Sequence, residues 1–134
     1  MRRECRLPAE ATSVPAARTF VTEAMVGQPA EAVFRAELMV SELATNCILH
    51  AATAFTVTLT IAGRAMRVEV SDDGPGKPAV GSPAPNEPHG RGLRLVDQLA
   101  TSWGISTSKR RPGKTMWFSL LTSQLPMTGG RRSA

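Results

Sequence analysis

The sharpest change in hydrophobic patterning falls at residue 55, where helical spacing gives way to alternation. Phe55, Val57, Leu59 and Ile61 alternate with Thr56, Thr58 and Thr60, the period of a half-buried strand. Ala62-Gly63-Arg64 turns the chain, and Met66, Val68 and Val70 alternate again, so the two strands pair back as a hairpin. Upstream, Glu4 to Leu7 reads as a short first strand ended by Pro8. Ser13-Val14-Pro15 predicts a helix start, with a hydroxyl cap and a proline inside the first turn. Ala17, Phe20, Val21, Ala24 and Met25 form its buried stripe, and Gly27-Gln28-Pro29 breaks it. A longer helix runs from Ala30 to Ala52, with Val33, Phe34, Ala36, Leu38, Val40, Leu43, Ala44, Cys47 and Ile48 as a broad apolar face. A third helix opens at Gly90-Arg91-Gly92 and carries Leu93, Leu95, Val96, Leu99 and Ala100. Two further strands follow, Trp103 to Thr107 and Lys114 to Leu121.

This order implies a two-layer α/β (α+β) sandwich: a mixed, mostly antiparallel sheet with three helices on one face. Residues 1–121 make one domain, and residues 122–134, small, polar and basic, make a flexible tail. Between the hairpin and the third helix, Lys77 to His89 keeps neither period, and five of the ten prolines fall between Pro75 and Pro88. A loop of that length is either a functional lid or a disordered insertion.

Composition narrows the partners. With 42% hydrophobic and 20% charged residues the chain is of soluble, globular type, and 134 residues bury a core without staples. No apolar run is long enough to span a bilayer, so no membrane partner is expected. The start Met1-Arg2-Arg3-Glu4-Cys5 has no apolar stretch after its basic residues, which predicts a cytoplasmic protein. Cys5 and Cys47 lie far apart without a CxxC or Cys/His pattern and read as free thiols. The net charge of +5 gathers in Arg2, Arg3, Arg6, in Lys109-Arg110-Arg111 and in Arg131-Arg132. No aromatic residue interleaves with these tails and there is no Tyr, so a solvated basic surface is expected rather than a nucleic acid partner.

Three stretches carry candidate chemistry. Ser71-Asp72-Asp73-Gly74-Pro75-Gly76 puts a carboxylate at a strand end, followed by glycines that let backbone approach a ligand closely. Glu42 and Asn46, four residues apart, share a helix face beside Ser41. Asn is disfavoured mid-helix unless something satisfies it, and its neutral oxygen suits a hard cation that phosphates also hold. Gly90-Arg91-Gly92 at a helix start is an anion site, with free amides and the positive dipole end. It is not a Walker loop, lacking Gly-Lys-Ser/Thr at the right spacing, and not a dinucleotide fingerprint, since it follows a loop. No Cys/His cluster supports zinc and no nucleophilic triad is evident.

Val40-Ser41-Glu42-Leu43-Ala44-Thr45-Asn46, Asp72-Asp73-Gly74-Pro75-Gly76, Gly90-Arg91-Gly92-Leu93-Arg94-Leu95-Val96-Asp97 and Gly113-Lys114-Thr115-Met116-Trp117-Phe118 occur in that order. Over roughly residues 14 to 121 the chain thereby resembles the ATP-binding domain shared by gyrase, a heat-shock chaperone, histidine kinases and mismatch-repair ATPases, the GHKL superfamily with its Bergerat fold. Within that superfamily it is most similar to the small anti-sigma factor serine/threonine kinases of short actinobacterial type. The resemblance implies ATP and Mg²⁺ as cofactors, with Asn46 at the metal and Glu42 as the base for γ-phosphate transfer. It implies Asp72 at the adenine amino group, Gly74 and Gly76 close to the base, and Gly90, Arg91, Gly92 and Leu93 about the phosphates. Arg91 contacts phosphate or serves a partner surface; His50 lines the pocket or is a satisfied helix-end histidine. Thr115 is expected near Asp72 through a water. The implied partners are a sigma factor and an anti-sigma factor antagonist protein, and the implied assembly is a homodimer through the N-terminal elements. No phospho-accepting histidine region precedes the domain, so a complete histidine kinase is not expected. The rival reading is a non-catalytic ATP-binding module that sequesters a sigma factor or another regulatory partner.

Overall fold

The alternating runs pair as the spacing requires. In the computed structural model, which describes residues 1–74 and 88–122 (for 88–92 the backbone alone), they form strands β1 (Arg2–Leu7), β2 (Phe55–Ala62), β3 (Ala65–Asp72), β4 (Ser102–Thr107) and β5 (Lys114–Leu121). The sheet order is β1-β2-β3-β5-β4, and every pairing is antiparallel. The last strand in sequence therefore lies inside the sheet, and β4 takes the edge. The predicted tail at 123–134 and most of the predicted lid lie outside the described residues.

Three helices cover one face: α1 (Ser13–Ala24), α2 (Ala30–Asn46) and α3 (Pro88–Leu99). Phe55, Val57, Leu59, Met66, Val68, Val70, Met116, Phe118 and Leu120 are buried beneath them against Ala17, Val21, Met39, Val40, Leu43 and Val96. The other face carries Thr56, Thr60, Arg67, Glu69, Ser71, Thr115, Trp117 and Ser119 and is half-open to solvent. There the Arg67 guanidinium stacks 3.9 Å from the Trp117 ring centroid. Among the described residues, no helix is long and apolar enough to cross a membrane.

Several local expectations are corrected. Ser13 does not cap α1: its buried hydroxyl instead donates to the Pro8 carbonyl at 2.6 Å, folding the β1–α1 connection onto the helix. Phe34 is 56% exposed, because Ala32, Ala36, Met39, Leu43 and Cys47 define the buried side of α2 and Phe34 lies opposite them. The second helix does not continue regularly to Ala52. After Asn46 it widens into a single π-turn, Cys47–Ala51, closed by Ala52 in the left-handed region (φ 55) with its N–H on the Cys47 carbonyl at 3.1 Å. The third helix starts at Pro88, before the glycines, as the fixed φ of proline favours.

Candidate functional site

Asp72 ends β3 and points to the helix-covered side, where it is 6% exposed. A carboxylate there is costly unless hydrogen bonds hold its charge. Oδ1 accepts the backbone N–H of Gly74 at 3.0 Å and that of Lys114 at 3.3 Å. Oδ2 accepts the Lys114 ammonium at 3.1 Å, and the Cys47 thiol lies against it at 4.0 Å. One oxygen is thus fixed by main chain and the other is held by side chains.

Two glycines make the approach possible. Gly113 has φ +94, and a Cβ there would lie 2.1 Å from the Asp72 carbonyl oxygen, so only glycine lets the chain entering β5 run so close to the end of β3. A Cβ on Gly74 would meet the Ala51 side chain at 3.3 Å, so the turn after Asp72 packs directly on the π-turn. π-turns of this kind mark departures from regular helix that recur at functional sites.

Asn46 is the last α-helical residue of α2 and precedes Cys47, whose thiol lies against Asp72. It is 6% exposed, and among the described residues its side-chain amide has no hydrogen-bonding partner. Buried amides are ordinarily paired, so an orphan of this kind calls for a partner such as a ligand or a water. Glu42, one turn earlier, is half-buried. Ser41 is committed elsewhere: its hydroxyl donates to the Glu37 carbonyl at 2.8 Å and accepts Arg18 at 3.2 Å.

The other expected site residues fall as follows. Thr115 faces the open side of the sheet, paired across β3 with Ser71, and their hydroxyls bond at 2.8 Å. It makes no direct hydrogen bond to Asp72, because adjacent strand residues point to opposite faces and Lys114 takes the Asp72 side. His50 is exposed in the π-turn, rotated from the position one regular turn below Asn46. Leu93 is half-buried and packs against the core. Gly90, Arg91 and Gly92 lie in the first turns of α3, which packs against α2 through the Arg35 guanidinium on the Leu99 carbonyl at 3.3 Å. Gly76 lies outside the described residues.

Sequence reasoning assigned no role to four participants. Lys114 and Cys47 at Asp72 were hidden because their placement depends on strand register and on where α2 ends. Burial, and secondarily the Asp72 charge, push the Cys47 thiol up to about 12. Gly113 was legible as a motif but not as a contact. Arg6, on the edge strand, forms an ion pair with Asp73, whose N–H donates to the Thr53 hydroxyl at 3.2 Å. The two neighbouring acids of the turn therefore do different things.

A fixed buried carboxylate at the end of β3 and a buried, unpartnered amide at the end of α2, one turn after a glutamate, are the residues a ligand could use. The family model of the histidine kinase-like ATPase domain matches residues 7–120, and the chain belongs to that family, part of the GHKL superfamily. ATP is the ligand this membership implies. Among solved structures the chain is similar to the histidine kinase domain of the Erythrobacter litoralis EL346 blue-light activated histidine kinase, at 24% identity and TM-score 0.54 over 88% of this chain and 63% of that one. It is also similar to the longer EL346 structure, at 25% identity and TM-score 0.57, over 88% of this chain and 43% of that one. The histidine kinase domain of the E. coli osmosensor EnvZ aligns at 17% identity and TM-score 0.48, over 96% of each chain. The chain thus spans less than two thirds of the EL346 structures. No match was found among curated proteins.

Proposed function

We propose that this chain is an anti-sigma factor kinase: it binds Mg-ATP and phosphorylates a serine or threonine of an anti-sigma factor antagonist. The buried Asn46 amide, unpartnered among the described residues and one turn from Glu42, carries the reading. Asn46 fits Mg²⁺, which takes few protein ligands and keeps its remaining positions for water and phosphate. When bound, the ion neutralises charge on the β- and γ-phosphates.

This chain's own residues supply the rest. Asp72 accepts the exocyclic amine of adenine and rejects guanine, whose carbonyl at that edge would face a carboxylate. The first turn of α3 offers backbone amides to phosphate. Glu42 orients the attacking hydroxyl and takes its proton as the phosphoryl group leaves ADP. The exposed N-terminal strand supports a homodimer: β1 is an edge strand with an unpaired outer side among the described residues.

Incubation with γ-labelled ATP and a candidate antagonist protein should label the antagonist. Full transfer by Glu42→Ala would remove Glu42 from the base role. ATP bound through Asp72 but never transferred would favour a sequestering module instead.

A further inference from the structure

We propose that Lys114 stands in for the nucleotide's exocyclic amine at Asp72 when no nucleotide is bound, and that ATP binds by displacing it. This rests on the assignment of Asp72 to adenine made above.

The first support is acceptor capacity. A carboxylate offers about four lone-pair directions. Around Asp72 these meet the Gly74 N–H, the Lys114 N–H, the Lys114 ammonium and the Cys47 thiol. A further donor has to replace one of them. The two backbone donors hold Oδ1 and belong to the turn after β3 and the start of β5, so losing either moves main chain. Cys47 is a weak donor at 4.0 Å, fixed in the core. The Lys114 ammonium alone binds strongly, sits on Oδ2 and can leave by side-chain rotation.

The second support is chemical likeness. The ammonium and the adenine amino group are both nitrogen donors without an acceptor role, so Oδ2 serves either in turn. The third is a route out. Lys114 is the first residue of β5, its side chain is 13% exposed, and it and Asp72 both border a polar groove of about 710 Å³, so the released ammonium has solvent beside it. The arrangement neutralises a buried carboxylate, whose side chain is 2% exposed, until the ligand arrives. Affinity for ATP then equals the intrinsic affinity of the pocket reduced by the ion pair that must open.

The test compares ATP binding by calorimetry for the wild type, Lys114→Met and Asp72→Asn. Removing the competitor should tighten ATP binding about tenfold, the scale of one charge-assisted hydrogen bond. Because Lys114→Met leaves a buried carboxylate unpaired and can impair folding, a second measurement uses the wild type alone. Acetic anhydride labelling, read by mass spectrometry with Lys109 as internal reference, should rise severalfold at Lys114 when ATP is added. If ATP binds the wild type and is lost in Asp72→Asn, but Lys114→Met binds no tighter and Lys114 labelling is flat or falls, displacement is overturned while the adenine assignment stands. If neither the wild type nor Lys114→Met binds ATP, the nucleotide assignment itself fails and takes this inference with it.

Discussion

Gly113→Ala measures how closely β5 is forced onto Asp72. Gly113 adopts φ +94, and a Cβ there would stand 2.1 Å from the Asp72 carbonyl oxygen, 2.9 Å from its carbonyl carbon and 3.0 Å from Oδ1. Placing a side chain in the left-handed region costs about 1–2 kcal/mol. Forcing an extra methyl against packed atoms costs about 1–3 kcal/mol more, and here the obstacle is backbone, which cannot rotate aside. Together these come to about 2–5 kcal/mol, a large share of the 5–15 kcal/mol that holds a typical domain together. For a chain of 134 residues that corresponds to a fall in Tm of about 7–18 °C. The control is Gly27→Ala: its φ of +89 is nearly the same, but nothing lies within 4 Å of the added Cβ. It should lose only the conformational part, about 1–2 kcal/mol. Thermal unfolding followed by circular dichroism compares the two, repeated with ATP to read whether the nucleotide still binds. If Gly113→Ala melts no lower than Gly27→Ala, the close approach of Gly113 to the end of β3 is wrong.

Further outcomes follow from the same geometry. ATP at about one hundred times its Kd should stabilise the wild type by about 2.7 kcal/mol in denaturant melts, and Asp72→Asn should abolish the gain; equal gains would contradict adenine recognition at Asp72. The Cys47 thiol, held near 12 against an ordinary 9.0, stays protonated in the native chain while its unfolded counterpart ionises. That stabilisation is complete below pH 9 and is lost as pH rises towards 12, about 1.4 kcal/mol of it between pH 8 and pH 10. Cys47→Ala should flatten the loss, and an unchanged slope would refute the burial of an ionisable thiol there. At pH 8 iodoacetamide should modify the partly exposed Cys5 well before Cys47, with both reacting once the chain is unfolded. Gly104→Ala should displace the Trp117 indole, which a Cβ would approach to 2.9 Å, and alter tryptophan emission; an identical spectrum would argue against the stacking of Trp117 over β4.

Much of the architecture was readable because strand alternation is a strong signal. β2, β3 and β5 begin and end within a residue or two of where the alternation does. Insertion of β5 between β3 and β4 was not readable, since it depends on which hairpin edge meets β3 rather than on any local pattern. Asp72, Asn46 and Glu42 could be picked out because a buried acid after a strand and a mid-helix amide break local rules. Lys114 was passed over because a lysine entering a strand breaks none; only the pairing of Ser71 with Thr115 shows that its neighbour turns towards Asp72. The π-turn left no trace in a sequence as ordinary as Cys47-Ile48-Leu49-His50-Ala51.

Asp72 and Asp73 look like a redundant pair, and strand parity makes them anything but interchangeable. One carboxylate faces the cleft and the other clasps Arg6 on the opposite side. Slipping β3 by a single residue would exchange their occupations and would also turn Met66, Val68 and Val70 out of the core. At about 1.5–3 kcal/mol per exposed side chain, that exchange costs roughly the stability of the domain. The hydrophobic spacing that builds the sheet is therefore also what decides which of two identical acids can meet a ligand.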